Sequence, residues 1–167
     1  MAELGDQKLW GQIALKEDGK RVWAKDWFEA RGCHHYTIDI HGQNGAHPLD
    51  LSKPITDAFW TNNFDIVTNF GTSEHVEDQF ECWRNIHKLG RCGCVYIHAV
   101  PELGKHNPAH APHLYTKDFF TNLIKVNKYT PILMESLVPI AHIGVCYIKP
   151  WSLEFRPGKE VLQQWIK

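Results

Sequence analysis

The sequence predicts a single α/β sandwich, in which a mainly parallel sheet is clothed by helices and closed by an antiparallel hairpin. Three observations carry this. Stretches of β-branched and aromatic residues alternate with stretches whose apolar residues recur at three and four, the pattern of strands joined by right-handed crossovers. Residues 64–76 (FDIVTNFGTSEHV) run as a buried strand into a Gly and hydroxyl break, then into the polar pair Glu74-His75. The last two apolar stretches, 131–138 and 141–148, read as strands joined by a tight turn at Pro139. In open sheets of this kind, ligands sit in the loops at the carboxyl ends of the strands.

Taken in order, residues 1–10 leave almost no room for a strand before Gly5. A helix follows over 20–32, with Val22, Trp23, Trp27, Phe28 and Ala30 mostly on one face and Gly32 as its stop, so that Trp23 and Trp27 pack on the sheet. Residues 35–40 form a strand that carries Asp39 near its end. Beyond a glycine-rich turn, residues 47–52 place a second carboxylate, Asp50, at another strand end, and Pro54 blocks helical continuation. After the strand at 64–70, the clearest amphipathic helix spans 76–89, through Val76, Phe80, Trp83, Ile86 and Leu89, and ends at Gly90 and Gly93. Residues 95–100 make a further buried strand. A polar loop over 102–115 holds His106, His110 and His113, and Thr116 caps a helix at 117–126. The tail, 151–167, reads as a short helix over the sheet edge. Without repeat or low-complexity linker, 1–167 is read as one domain.

Composition narrows the function. The chain has 167 residues, enough to bury a core without staples, with 43% apolar and 22% charged content. Its net charge of -1 gives no basic excess for a nucleic-acid backbone, so no nucleic-acid partner is expected. The apolar run 131–150 is broken by Glu135, Pro139 and His142 and is no membrane helix. Five Cys without framework spacing and without a secretory leader ahead of them favour a reduced, cytoplasmic setting. Cys92-Gly93-Cys94 has no second pair at zinc-finger spacing and reads as small residues in a turn.

Several residues are suited to chemistry by type and place. Asp39, at a strand end, can accept two hydrogen bonds from a ribose diol, or simply order its loop. Asp50 is either a ligand contact or a turn Asp before Ser52. A His beside a carboxylate, as in Glu74-His75, can remove a substrate proton; the alternative is that both cap the following helix. His106, His110 and His113 could hold zinc with an open position, although a solvated or substrate-facing loop is favoured. His98 points into the same cleft or is a satisfied core histidine. Trp83, Trp23 and Trp27 read as core, whereas Trp10, Trp60 and Trp151 lie near loops, with packing the safer reading.

The stretch 64–76, followed by 83–93 (WRNIHKLGRCG), resembles the class I S-adenosylmethionine-dependent methyltransferases, particularly their type 11 branch. The resemblance spans about residues 3 to 150 and implies a Rossmann-like three-layer sandwich, S-adenosyl-L-methionine as cofactor and a small-molecule methyl acceptor. Residues 3–7 (ELGDQ) look like the family's first glycine motif, with one glycine in place of two or three. The first strand is therefore either a short stub or missing, and a missing one would leave a central edge open to pair with a second copy. By resemblance, Gly5 approaches the methionine part of the cofactor and Asp39 holds the ribose. Asp50 and the Leu51 backbone lie at the adenine. Asn69, Phe70 and Gly71 end the strand where cofactor and substrate meet, and Glu74 and His75 are the acid/base candidates. Three other readings stand beside this one: a binding or assembly module that keeps the fold without the chemistry, another enzyme acting on the same cofactor or a related nucleoside, and a zinc hydrolase built on the three-His loop.

Overall fold

A computed structural model describes residues 1–9, 21–138, 140–151 and 154–166. Trp10 and the turn at Pro139 lie outside them. The described strands are β1 (Ala2–Leu4), β2 (Tyr36–Asp39), β3 (His47–Pro48), β4 (Phe64–Phe70), β5 (Gly90–Pro101), β6 (Thr130–Leu137) and β7 (His142–Ile148). They form one sheet in the order β3-β2-β1-β4-β5-β7-β6. Pairing is parallel from β3 to β5, and β7 runs antiparallel between β5 and β6. The predicted α/β sandwich with a C-terminal antiparallel hairpin is therefore the observed fold.

The first strand is present and short. Each of its residues pairs on both sides, Ala2 with Tyr36 and Val67, Leu4 with Ile38 and Asn69. Double pairing, with Ala2 and Leu4 fully buried, lets three residues serve as a central strand. The open central edge on which self-association was expected is thus closed, and the sheet ends instead at β3 and β6. The strand order reverses between β1 and β4, the switch point at which open α/β sheets bind ligands.

Helices α1 (Ala24–Glu29), α2 (Gln79–Leu89), α3 (Lys117–Asn127) and α4 (Lys159–Trp165) complete the architecture. On one face α1 sets Phe28 against His35, the rings 5.7 Å apart and nearly parallel. On the other, Trp83 of α2 meets His98, Phe119 and Phe120 in the main core. The helix α1 is shorter than expected, and Trp23 and Trp27 are only half-buried; Lys8 and Arg31 lie over their rings. Trp60 packs in the core, whereas Trp151 is 90% exposed. The tail helix lies against α2 and α3 rather than over the sheet edge, with Leu162 buried and Lys159 paired to Asp78 at 2.6 Å.

At the end of α2 the strand β5 begins at once, at Gly90. Buried Lys149 donates to the His87 and Gly90 carbonyls at 2.8 and 2.7 Å and to Asn62 Oδ1 at 3.0 Å. A cation so placed satisfies orphan carbonyls and complements the negative end of the helix. All five cysteines are unpaired, and no helix among the described residues is long and apolar enough to cross a membrane.

Candidate functional site

At the switch point, the chain after β1 turns at Gly5 with φ +76°, and the chain after β4 turns at Gly71 with φ +77°. These left-handed conformations suit glycine, and both glycines let backbone come close to whatever occupies the cleft. A side chain at Gly5 would run into Thr72 Oγ1 and lie 2.6 Å from Gln7 Nε2. The two turns are tied together, because Thr72 Oγ1 donates to the Leu4 carbonyl at 2.7 Å.

Between these turns and the ends of β2 and β3 lies a cleft of about 520 Å³, lined by Gly5, Asp39, Asp50, Leu51, Gly71 and His75 among others. Asp39 stands at its rim, accepting from the His41 N–H at 2.9 Å and the Asp6 N–H at 3.4 Å. Asp50 is more committed. Its carboxylate accepts from Ser52 Oγ and Ser52 N–H at 2.6 and 2.9 Å and faces Lys53 at 3.1 Å, and these bonds hold its pKa below the usual carboxylate range. It has the contacts of a turn Asp. Leu51 buries its side chain in the core.

A second cavity, about 560 Å³ and predominantly apolar, adjoins the cleft and shares Gln7 and Gly71 with it. Phe70, Glu74, Ala99, Ile140, His106 and His142 line its walls. Phe70 therefore belongs to this cavity rather than to the cleft.

Glu74 and His75 sit on a tight 3-10 turn, Ser73–His75, rather than at the start of α2. The cap of α2 is Asp78, which accepts from the Glu81 N–H at 3.1 Å, so neither Glu74 nor His75 caps the helix. Asn69 pins the turn from below: it donates to Ser73 Oγ at 2.8 Å and accepts from the Ser73 N–H at 3.1 Å. The Tyr115 hydroxyl bridges Ser73 Oγ and Gln79 Oε1, and Gln79 Nε2 reaches the Ser73 and Val76 carbonyls at 2.7 Å each. Asn69 is fully buried and lines neither cavity. Because Asn69 Nδ2 donates to His98 Nδ1 at 3.3 Å, Nε2 of that ring carries the proton toward the Tyr147 hydroxyl at 2.9 Å. His98 is a core histidine, and burial pushes its pKa down to about 3.

The Glu74 side chain is 0% exposed, and neither carboxylate oxygen has a hydrogen-bond partner. Burial pushes its pKa up to about 7. His75 Nε2 is 4.0 Å away, too far for a hydrogen bond. Above them, the 102–115 loop docks through the His113 N–H onto the Glu74 carbonyl at 3.3 Å, and His110 packs on His75 with ring centres 5.3 Å apart. Among the described residues the three loop histidines do not form one ligand group; His113 lies at a different surface cavity with Gln79. Gln7, Thr72, Ile140 and His142 also belong to the site; Gln7, in the 3–7 stretch, and Thr72, next to Gly71, have a local signal, and Ile140 and His142 have none.

Beneath Gly5, Glu3 is buried with both oxygens unpartnered, 3.5 Å from His35. Burial, helped by the nearby Asp6 charge, pushes Glu3 up to about 8, and burial pushes His35 down to about 4. The two face each other uncharged near neutral pH.

No family model matches the chain, and no curated protein matches it. Solved structures do. One is 1,6-didemethyltoxoflavin-N1-methyltransferase from Burkholderia thailandensis with bound 1,6-didemethyltoxoflavin and S-adenosylhomocysteine, at 16% identity and TM-score 0.59, over 89% of this chain and 71% of that one. Another is geranyl diphosphate C-methyltransferase from Streptomyces coelicolor with Mg2+, geranyl diphosphate and S-adenosyl-L-homocysteine, at 7% identity and TM-score 0.60, with the same coverage. The N-methyltransferase NodS from Bradyrhizobium japonicum aligns at 13% identity and TM-score 0.57, over 89% and 84%. At these identities the likeness shows the fold, that of class I S-adenosylmethionine-dependent methyltransferases, as the resemblance implied.

Proposed function

We propose that this protein is a methyltransferase that binds S-adenosyl-L-methionine in the cleft at the ends of β1, β2 and β3 and a small-molecule acceptor in the adjoining apolar cavity. The observation that carries this is the meeting of the two spaces at Gln7 and Gly71. Similar folds with bound S-adenosylhomocysteine and with small-molecule substrates support it.

The residues present fit the cofactor. Gly5 leaves open backbone where a Cβ would collide with Thr72, and Asp39 keeps carboxylate lone pairs for a ribose diol beside its two backbone bonds. When bound, S-adenosyl-L-methionine supplies an electrophilic methyl group. The chain's share is then mainly positioning. Phe70, Ala99 and Ile140 exclude water around the acceptor, and Gly71 lets the two ligands approach each other. Glu74, titrating near neutrality at the cavity wall, takes the acceptor's proton, with His75 beside it at the cleft. Asp50 and the Leu51 backbone border the adenine end. Asn69 contributes indirectly, by holding the turn that carries Glu74.

Calorimetric titration with S-adenosylmethionine and S-adenosylhomocysteine tests this. One-site binding is expected, weakened about tenfold or more in Asp39→Ala, a loss of about 1.4 kcal/mol or more. No heat with either compound at millimolar concentration would sink the reading.

A further inference from the structure

Glu74, His75 and His110 each offer a ligand atom, and these atoms lie within 4.8 Å of one another. Two imidazoles and a carboxylate are the donor set that first-row divalent ions use when they keep coordination positions open. A buried carboxylate is normally hydrogen-bonded or paired. Neither Glu74 oxygen has a hydrogen-bond partner, and the neighbouring basic group, His75 Nε2, stands 4.0 Å away. A cation held against it would supply that partner.

We propose that Glu74, His75 and His110 bind one divalent transition-metal ion whose open position faces the apolar cavity, where it takes an oxygen of the bound acceptor. Three features support this. Glu74 is the fixed point, since Asn69, Tyr115 and Gln79 pin its turn. His75 and His110 are exposed with their rings in contact, and small ring rotations bring donors that lie within 4.8 Å of one another to the ~3–4 Å apart that bonds of ~2.1 Å require. Glu74 and His110 both line the cavity, and the His106 ring lies tilted against His110, centres 4.6 Å apart, and edge-on to His142. An ion at this point would select an acceptor bearing a hydroxyl, enol or carboxylate oxygen over a purely hydrocarbon one, and it would replace Glu74 as the activating group. Glu74, as its ligand, would stay ionised, and the ion would lower the proton affinity of the acceptor oxygen so that its proton is lost to water. The metal site stands on geometry alone; only the identity of the occupant of its open position rests on the methyltransferase reading.

The test uses the full chain stripped with chelator and titrated with Zn2+ by calorimetry and with Co2+ by visible absorption. Wild type is expected to bind one ion, His110→Ala and Glu74→Gln to bind it about tenfold or more weakly, and His113→Ala to match wild type. His110 is an exposed loop residue, so its variant answers the question even if Glu74→Gln fails to fold. Acetohydroxamate, an oxygen-donor probe, should shift the Co2+ bands if a position is open. No bound ion, equal loss in His113→Ala and His110→Ala, or bands indifferent to acetohydroxamate would each overturn the proposal. A parallel S-adenosylhomocysteine titration separates the two readings. Binding of that compound without metal binding leaves the methyltransferase reading and removes the ion; metal binding without it does the reverse.

Discussion

The Thr72 hydroxyl donates to the Leu4 carbonyl at 2.7 Å, so the loop after β4 is latched onto the end of β1 directly beside Gly5. A methyl group at Gly5 collides with that same hydroxyl. Gly5→Ala is therefore expected to cost about 1–2 kcal/mol from its left-handed backbone, and more from the broken latch. Gly32, at φ +80° with no atom near its missing Cβ, is the control. Urea unfolding should show Gly32→Ala losing only the backbone share, with S-adenosylhomocysteine affinity intact. Equal behaviour of the two variants would remove the latch from the argument.

Asp39 and Asp50 both border the cleft but do different work. The Asp50 carboxylate is taken up by Ser52 and Lys53, whereas Asp39 accepts only two backbone N–H groups. Asp50→Ala should lower stability by about 1 kcal/mol, the loss of a turn bond, and weaken S-adenosylhomocysteine binding little. Asp39→Ala should do the opposite. Calorimetry and urea melts on the pair decide it, and similar ligand losses in both would show Asp50 to be a true contact.

Burial makes Asn69 a support rather than a contact. Asn69→Leu fills the volume but leaves the Ser73 N–H unpaired in the core, at a cost of about 1–3 kcal/mol. Cofactor affinity measured at low urea should change less than stability. A variant that stays stable yet cannot bind S-adenosylhomocysteine would return Asn69 to the cleft.

What the sequence displayed and what it hid follow from range. Helix α2 is legible from its local apolar spacing and α3 also from its Thr116 cap, and β4 with Gly71 is legible for the same reason. The start of α2 was misplaced at Val76 because the turn Ser73–His75 is set by Tyr115, far along the chain. A three-residue β1 is too short to show a period, and its stability comes from two partners. Trp23 and Trp27 have helical spacing, but a helix of six residues cannot bury both. His110 joins Glu74 and His75 only because the loop docks through the His113 backbone, which no spacing rule encodes.

The facing pair Glu3 and His35 gives the stability a pH signature. His35 and His98 have folded pKa values of about 4 and 3, below their unfolded value near 6.5, so their contribution is present above 6.5 and is lost as pH falls. Glu3 and Glu74, at about 8 and 7 against an unfolded value near 4.5, contribute stability that is full below 4.5 and is lost as pH rises through their folded values. Between about 4.5 and 6.5 the two pairs offset each other. Above 6.5 the carboxyls still act, opposed in part by the Met1 amine, which burial lowers from its usual value near 8, and the metal-free protein should lose about 1–2 kcal/mol by pH 8.0. Lys149, lowered to about 8 by burial, opposes them mainly above that pH. Urea melts from pH 5 to 8 on wild type and Glu3→Gln measure this directly. The variant should keep only the smaller fall due to Glu74. An unchanged slope would mean that Glu3 is already ionised in the fold, paired with a charged His35.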